Sequence, residues 1–335
     1  MAQVDKKGMV HGTAGSVVYR RYRNKNIIQG KPRKFKQTSA SIRASTEFGL
    51  SSTTAAVIRT AFQSAYVHRD GEAVSRSTQH VYRAIRGSQS RIAGQRDLHD
   101  ADLESIIGMD FNINSRISEV LQVSPRVERD GQGRISVFMG ALNAQTDLRV
   151  PAGIRKAASK YRIRFSLIGF NFRQEYYEYL EVRDLELRKY GELDAQEIRF
   201  ETQPEADQLL MLSVSLLAYS ETRMEEGYVL LNSKAFSPCA IIAAYAAEEP
   251  GEYPEGPVSL RLSEAQQPRA AAIHCMCYEG NRLLRDQERR RERAQATSPA
   301  VATKAATAVK KRRPKEDEGK LLFQTGKRVS FSSRR

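Results

Sequence analysis

The side chains best suited to chemistry cluster in a few stretches. The string His274-Cys275-Met276-Cys277 carries metal-ligating groups, and on a strand its two cysteines share a face. A tetrahedral zinc site takes four ligands, normally from two separated pairs. His11, His68, His80 and His99 lie far off in sequence and form no second pair, so no metal site is assigned. Glu225-Glu226 and Glu248-Glu249 are adjacent carboxylates, which on a strand point to opposite faces and make no ready acid/base pair. Asp184 and Glu186 share a face, with Arg183 and Arg188 nearby as expected surface partners. There is no Gly-x-Ser-x-Gly elbow, and Gly30-Lys31 runs into Pro32 with no phosphate-binding loop before it. No catalytic residue and no cofactor follows from these patterns, and the chain reads as a non-enzyme.

The stronger chemical signal is cationic. Arg20, Arg21, Arg23, Lys25, Lys31, Arg33, Lys34 and Lys36 surround Tyr19, Tyr22 and Phe35. Basic groups neutralise phosphates, aromatic rings stack on bases, and a two-stranded ribbon fits a major groove. The far end repeats the charge, with arginines at 289–293 and the run Lys310-Lys311-Arg312-Arg313-Pro314-Lys315. The candidate nucleic-acid-binding residues are Arg20, Arg21, Arg23, Arg33, Lys34, Lys36, Lys310, Lys311, Arg312 and Arg313. The competing structural account is that Val18, Tyr22 and Ile28 pack on the following helix while the cations snorkel to water.

The chain's 335 residues carry a net charge of +15, unevenly placed. Residues 1–100 hold 18 basic against 6 acidic side chains, residues 101–280 hold 19 against 27, and residues 281–335 hold 17 against 6. An acidic middle between two basic ends suits a polyanion partner, or docking of the ends on another copy. No apolar run approaches the roughly 20 residues of a membrane span, and residues 1–8 lack a signal-peptide core. Three cysteines are too few for a disulfide scaffold and fit a reducing compartment. The expected location is cytoplasmic, with virion association as the alternative.

These residues need elements to hold them. Residues 1–11 read as a mobile arm, and Ser16 to Gln29 as a β-hairpin turning at Asn24-Lys25-Asn26. Thr38 or Ser39 caps a helix with Ile42, Phe48, Leu50, Ala55, Ile58, Phe62 and Tyr66 at helical spacing, with Gly49 and the Ser51–Thr54 cluster as candidate breaks. A second helix spans about Ser77 to Ser88, and a short one Asp102 to Ile107. Beyond Gly108 the period changes. Tyr161, Ile163, Phe165 and Leu167 alternate with Arg162, Arg164 and Ser166, while Gln208–Tyr219 is apolar on both faces, as in a central strand. Many strands without interleaved helices indicate an antiparallel β-sandwich. The fold class is α+β: a basic hairpin-helix module (1–107), a β-sandwich (108–280) and a basic helical or disordered tail (281–335).

The opening run Gly12-Thr13-Ala14-Gly15-Ser16-Val17-Val18-Tyr19-Arg20, with Arg23-Asn24-Lys25-Asn26-Ile27-Ile28 and Lys31-Pro32, resembles the start of an uncharacterised bacterial protein family. A related opening occurs in some proteins of phages and other mobile elements. Gly108-Met109-Asp110-Phe111-Asn112 and Ile117–Leu121 are similar to that family's inter-domain segment, and Asn143–Leu148 with Val150-Pro151-Ala152-Gly153 to its entry into the β domain. The resemblance covers about residues 8–245 and implies an N-terminal hairpin-helix module with a C-terminal sandwich. It brings no catalytic residues, and the segment after Asn281 departs from it.

The expected function is therefore a non-enzymatic binding or assembly protein, its basic ends contacting nucleic acid or another polyanion without sequence readout. A structural subunit of a virion or mobile-element assembly is the alternative, self-associating through the hairpin and a C-terminal strand at Leu321–Phe331. An enzyme with a site in the sandwich loops is a weaker third.

Overall fold

A computed structural model describes residues 2–22, 25–32, 37–131, 133–201, 204–222, 227–254, 256, 258, 262–264 and 266–296. The chain opens as a four-stranded antiparallel sheet in sequential order: β1 (Ala2–Val4), β2 (Val10–Ala14), β3 (Val17–Tyr22) and β4 (Lys25–Gly30). The expected mobile arm is thus two strands. Asp5 closes their turn, its carboxylate accepting from the Lys7 and Met9 amides at 2.9 Å, and Gly8 supplies the positive φ of 75°. Lys25 and Asn26, expected in a turn, already lie in β4, opposite Tyr22 and Arg21.

Helix α1 (Ser39–Ala61) starts where Thr38 Oγ1 accepts from the Ser41 amide. It does not break at Gly49 or the serine-threonine cluster. Ser51 donates to the Glu47 carbonyl at 2.7 Å and Thr53 to that of Leu50, so these two hydroxyls are satisfied within the helix. Gly49 instead lets Leu283 approach. The short α2 (Gln63–Tyr66) follows, then α3 (Ala73–Gly87), which packs on α1. Asp102 caps a 3-10 turn at Leu103–Ile106, and α4 (Ile117–Val120) is a single turn.

The remainder is mostly antiparallel sheet. β5 (Arg126–Arg129), β6 (Ile135–Met139) and β11 (Gln196–Arg199) form a three-stranded sheet ordered β11-β6-β5, and β7 (Leu142–Asn143) pairs with β10 (Glu192–Leu193). After α5 (Ala152–Ala157), long strands β8 (Lys160–Asn171), β9 (Tyr176–Arg188) and β12 (Leu209–Thr222) build a six-stranded sheet with β13 (Gly227–Leu230), β14 (Cys239–Tyr245) and β15 (Ile273–Cys275). β12 pairs with β8, β13 and β14, the central place its two apolar faces indicate. Leu212 and Leu167 are paired, and both strands shift register just beyond them. Bulges increase local twist, and the sheet is curled into a half-barrel. α6 (Gly280–Ala296) follows.

Strand alternation places a core on each side of the large sheet. Tyr161, Ile163, Phe165 and Leu167 of β8 pack with Ile135, Val137 and Met139 of the small sheet. Ile168, Phe170 and Phe172, on the other face, pack with Leu50, Ile58 and Phe62 of the α1 region and Val81 and Ile85 of α3. Each fully buried side chain of this size contributes about 1.5–3 kcal/mol. Sheet-on-sheet packing thus covers one face, and helices cover the second half of the other. Residues 1–290 form one unit and residues 291–335 another.

Candidate nucleic-acid interface

The cationic residues nominated by sequence are carried first by β3 and β4. Cross-strand register places Ala2, Val4, Val10, Gly12, Ala14, Val17, Tyr19, Arg21, Asn26, Ile28 and Gly30 on one face of the N-terminal sheet. The other face carries His11, Thr13, Val18, Arg20, Tyr22, Lys25, Ile27 and Gln29. Arg20 and Arg21, expected to act together, therefore point to opposite sides. One face combines Arg20 and Lys25 with Tyr22, all exposed, and the other is largely apolar. Asp5 sits near Arg21 and His11; the Met9 amide chiefly, and these two groups, hold its carboxyl below the usual range.

No described residue from 2 to 46 is buried. Of Val18, Tyr22 and Ile28, which the structural account expected to pack on α1, Tyr22 and Ile28 are 60% and 66% exposed and Val18 is half-buried. Arg23, Arg33, Lys34, Lys36, Lys310, Lys311, Arg312 and Arg313, and the Leu321–Phe331 segment, lie outside the described residues. On α6, Leu284 and Gln287 are buried while Arg282, Arg289 and Arg290 are exposed.

Other clusters are saturated by their own partners. Asp184 and Glu186 share a face, but their partners are Arg164 and Arg162, directly across from them on β8, rather than Arg183 and Arg188. Arg164 grips Asp184 with two bonds of 2.8 Å. Arg162 and Lys160 hold Glu186 below the usual carboxylate range. Arg183 lies one residue out of phase and pairs with Glu181. A hollow of about 430 Å³ over the small sheet is lined by Arg129, Arg134 and Arg199, each paired with a carboxylate, Glu248, Asp130 and Glu197 respectively. A second hollow of about 240 Å³ is mostly apolar, lined by Ile107, Ile117, Leu121 and Ile242, with Asp110, whose carboxyl is pushed up by burial. Glu225 and Glu226 lie outside the described residues.

Sequence reasoning missed a buried network of charge. Arg173, in the β8–β9 turn, donates to Asp97 at 2.9 and 3.2 Å, to Asp100 at 3.1 Å, and to the Gly251 carbonyl. Arg173 and Arg91 both approach the Tyr253 ring, their guanidinium carbons 4.4 and 4.5 Å from its centre. Beside them, His99 Nε2 accepts from the Phe172 amide at 3.1 Å, so a neutral ring carries its proton on Nδ1. Burial, reinforced by Arg173, pushes the His99 pKa down to about 3. Asn281 at the start of α6 donates to the Phe172 and Arg173 carbonyls and to Glu175. Nothing local in the sequence signals this network, in which Asp100 and Asp97 lie 73 and 76 residues from Arg173. Its carboxylates are engaged by guanidinium groups, so its geometry is that of a lock.

Cys275 and Cys277 are exposed and flank buried Met276, and Cys239 is fully buried. His274 stacks on Tyr177 at 5.2 Å. Among the described residues no three metal-ligating side chains converge, and no helix is long and apolar enough to cross a membrane. No protein-family model, curated protein or solved structure matches this chain.

Proposed function

We propose that the chain is a non-enzymatic binding and assembly protein. Its α+β body is a scaffold, and its N-terminal sheet is the contact element. The polar face of that sheet meets nucleic acid or another polyanion without reading sequence. The observation carrying this reading is that no described residue of the sheet is buried and that Arg20, Lys25 and Tyr22 stand exposed on one side of it. Two phosphate-neutralising groups beside an aromatic ring suit a backbone contact with stacking. Several cations elsewhere on the body are tied to carboxylates within the fold, as at Arg129, Arg162 and Arg164.

The test is binding of the full chain to labelled duplex DNA and single-stranded RNA across a salt series. Counterion release requires affinity to fall steeply as salt rises, with a log–log slope near −0.9 per phosphate neutralised on duplex DNA. Binding that ignores salt, or none at low salt, sinks the polyanion reading.

A structural subunit of a virion or mobile-element assembly is the second reading. Val4 and Ile28 favour it, since the sheet presents an apolar side as well as a cationic one.

A further inference from the structure

Among the described residues two guanidinium groups are almost fully buried, and the fold treats them differently. Arg173, 3% exposed, is held by Asp97 and Asp100. Arg59, in the last turn of α1 and 7% exposed, has no carboxylate partner among the described residues. Its Nη1 donates to Ser77 Oγ on α3 at 2.5 Å, and that hydroxyl in turn donates to the Ala73 carbonyl at 2.7 Å. Its Nε is sealed from solvent and has no acceptor. A buried charge is costly unless it is paired and hydrogen-bonded.

A second cation adds to the imbalance. Burial first, and then the charge of Arg69, hold the Arg59 pKa below its ordinary value, yet a guanidinium stays protonated. Tyr66 senses both arginines, whose charges oppose the upward push of its own burial. Its hydroxyl donates to the Arg59 carbonyl at 2.9 Å. Asp70, next to Arg69 in sequence, is taken by Arg76 and by the Glu72 and Ile113 amides.

We propose that Arg59 and Arg69 form an anion site where α1 meets α3, and that its ligand is a phosphate dianion, free or as a monoester. A guanidinium presents a planar fork of donors that fits phosphate and carboxylate oxygens. Two positive charges favour a dianion over a singly charged carboxylate. Ser77 holds one arm of the Arg59 fork. Arg69 is exposed and supplies the solvent-facing contact. The site is separate from the N-terminal sheet and stands without the reading of that sheet as a contact element.

Isothermal titration calorimetry tests this on the nuclease-treated full chain, at an ionic strength held fixed with chloride. The probes are inorganic phosphate, adenosine 5′-monophosphate and acetate. The wild type should bind one phosphate per chain saturably and acetate far more weakly. Arg59→Met should weaken phosphate about 30-fold or more, as loss of one side of a buried charged contact does. Arg69→Gln should weaken it about 2- to 5-fold, as at an exposed pair. Arg83→Gln removes the same charge from an exposed position of α3 and should leave binding unchanged. Urea unfolding gives a second readout. Phosphate at 100 times its Kd should raise the folded-to-unfolded ratio of the wild type about 100-fold, and that of Arg59→Met hardly at all. Without phosphate, Arg59→Met should be at least as stable as the wild type, because it removes an unpaired buried charge. No saturable binding, acetate as effective as phosphate, undiminished binding in both variants, or a marked loss of stability in phosphate-free Arg59→Met each overturns the site. Tighter binding of the monophosphate assigns the site to a monoester, and tighter binding of inorganic phosphate assigns it to the free ion; either upholds it. Failure here leaves salt-dependent nucleic-acid binding by the N-terminal sheet untouched.

Discussion

Arg173 and Asp97 are 76 residues apart in sequence, yet the Arg173 Nε sits 2.9 Å from an Asp97 carboxylate oxygen, and both side chains are almost fully buried. Burial disfavours the guanidinium charge, but the Asp97 hydrogen bonds and charge outweigh it and keep Arg173 protonated. Asp100 is pushed up by burial and then by its neighbour Asp97. Removing the cation leaves two adjacent buried carboxylates without their shared partner. Arg173→Met should therefore cost about 3–5 kcal/mol in urea unfolding. Arg173→Lys should recover part of that loss, since an ammonium restores charge without the planar fork. Equal stability of wild type and Arg173→Met would show that the network contributes nothing net.

His99 predicts an acid limb of stability. Its folded pKa lies near 3, below the ordinary value of 6.5, so between these values the unfolded chain takes up a proton that the folded chain refuses. Stability is full above about pH 6.5 and falls as pH drops towards 3. From pH 6.5 to 4.5 this one group removes about 2–3 kcal/mol. Asp100, Asp110 and Asp207, whose pKa values are raised mainly by burial, act in the opposite sense at the lower end. His99→Gln offers an acceptor that does not titrate, so wild type minus variant isolates the histidine. That difference should fall between pH 7 and 4.5; a constant one would exclude His99 as the source.

Local periodicity located much of the body. The alternation over 161–167 and the doubly apolar run of β12 are direct consequences of strand geometry, and the Thr38 cap follows from side-chain chemistry. What stayed hidden depended on distant partners. Gly49 looks like a breaker until Leu283 is placed against it. Residues 1–11 look like an arm because β1 and β2 are short and find their stability in cross-strand pairing. Arg20 and Arg21 read as one patch in one dimension, but the period of two separates them once strand β3 exists. The Arg173 network left no local trace, because its residues come from two loops and a turn.

Gly280 begins α6 where Tyr278 and Leu50 leave no room for a side chain: a Cβ there would collide with the Tyr278 ring and press on Leu50. Tyr278 is itself buried, its hydroxyl 3.4 Å from Thr54 Oγ1. Gly280→Ala should cost about 1–3 kcal/mol through overpacking, despite the better helix propensity of alanine. The control is Gly87→Ala at the end of α3, where a Cβ meets open space, and which should shift the urea midpoint far less. Similar midpoints for the two variants would mean that Tyr278 moves aside freely.

The division of Arg20 from Arg21 makes a functional prediction that sequence proximity does not. Arg20 shares its face with Lys25 and Tyr22, whereas Arg21 shares the apolar face with Tyr19 and Ile28. If the polar face binds phosphate, Arg20→Gln with Lys25→Gln should reduce the log–log salt slope for duplex DNA by about 2, one unit per lost contact. Arg21→Gln should change that slope by much less, although it removes a positive charge one residue away. Tyr22→Ala should weaken single-stranded RNA by about 1–3 kcal/mol if its ring stacks on a base, with little effect on duplex. Fluorescence anisotropy across a salt series separates these outcomes. Equal slopes for the Arg20/Lys25 and Arg21 variants would place the phosphate contacts elsewhere on the chain.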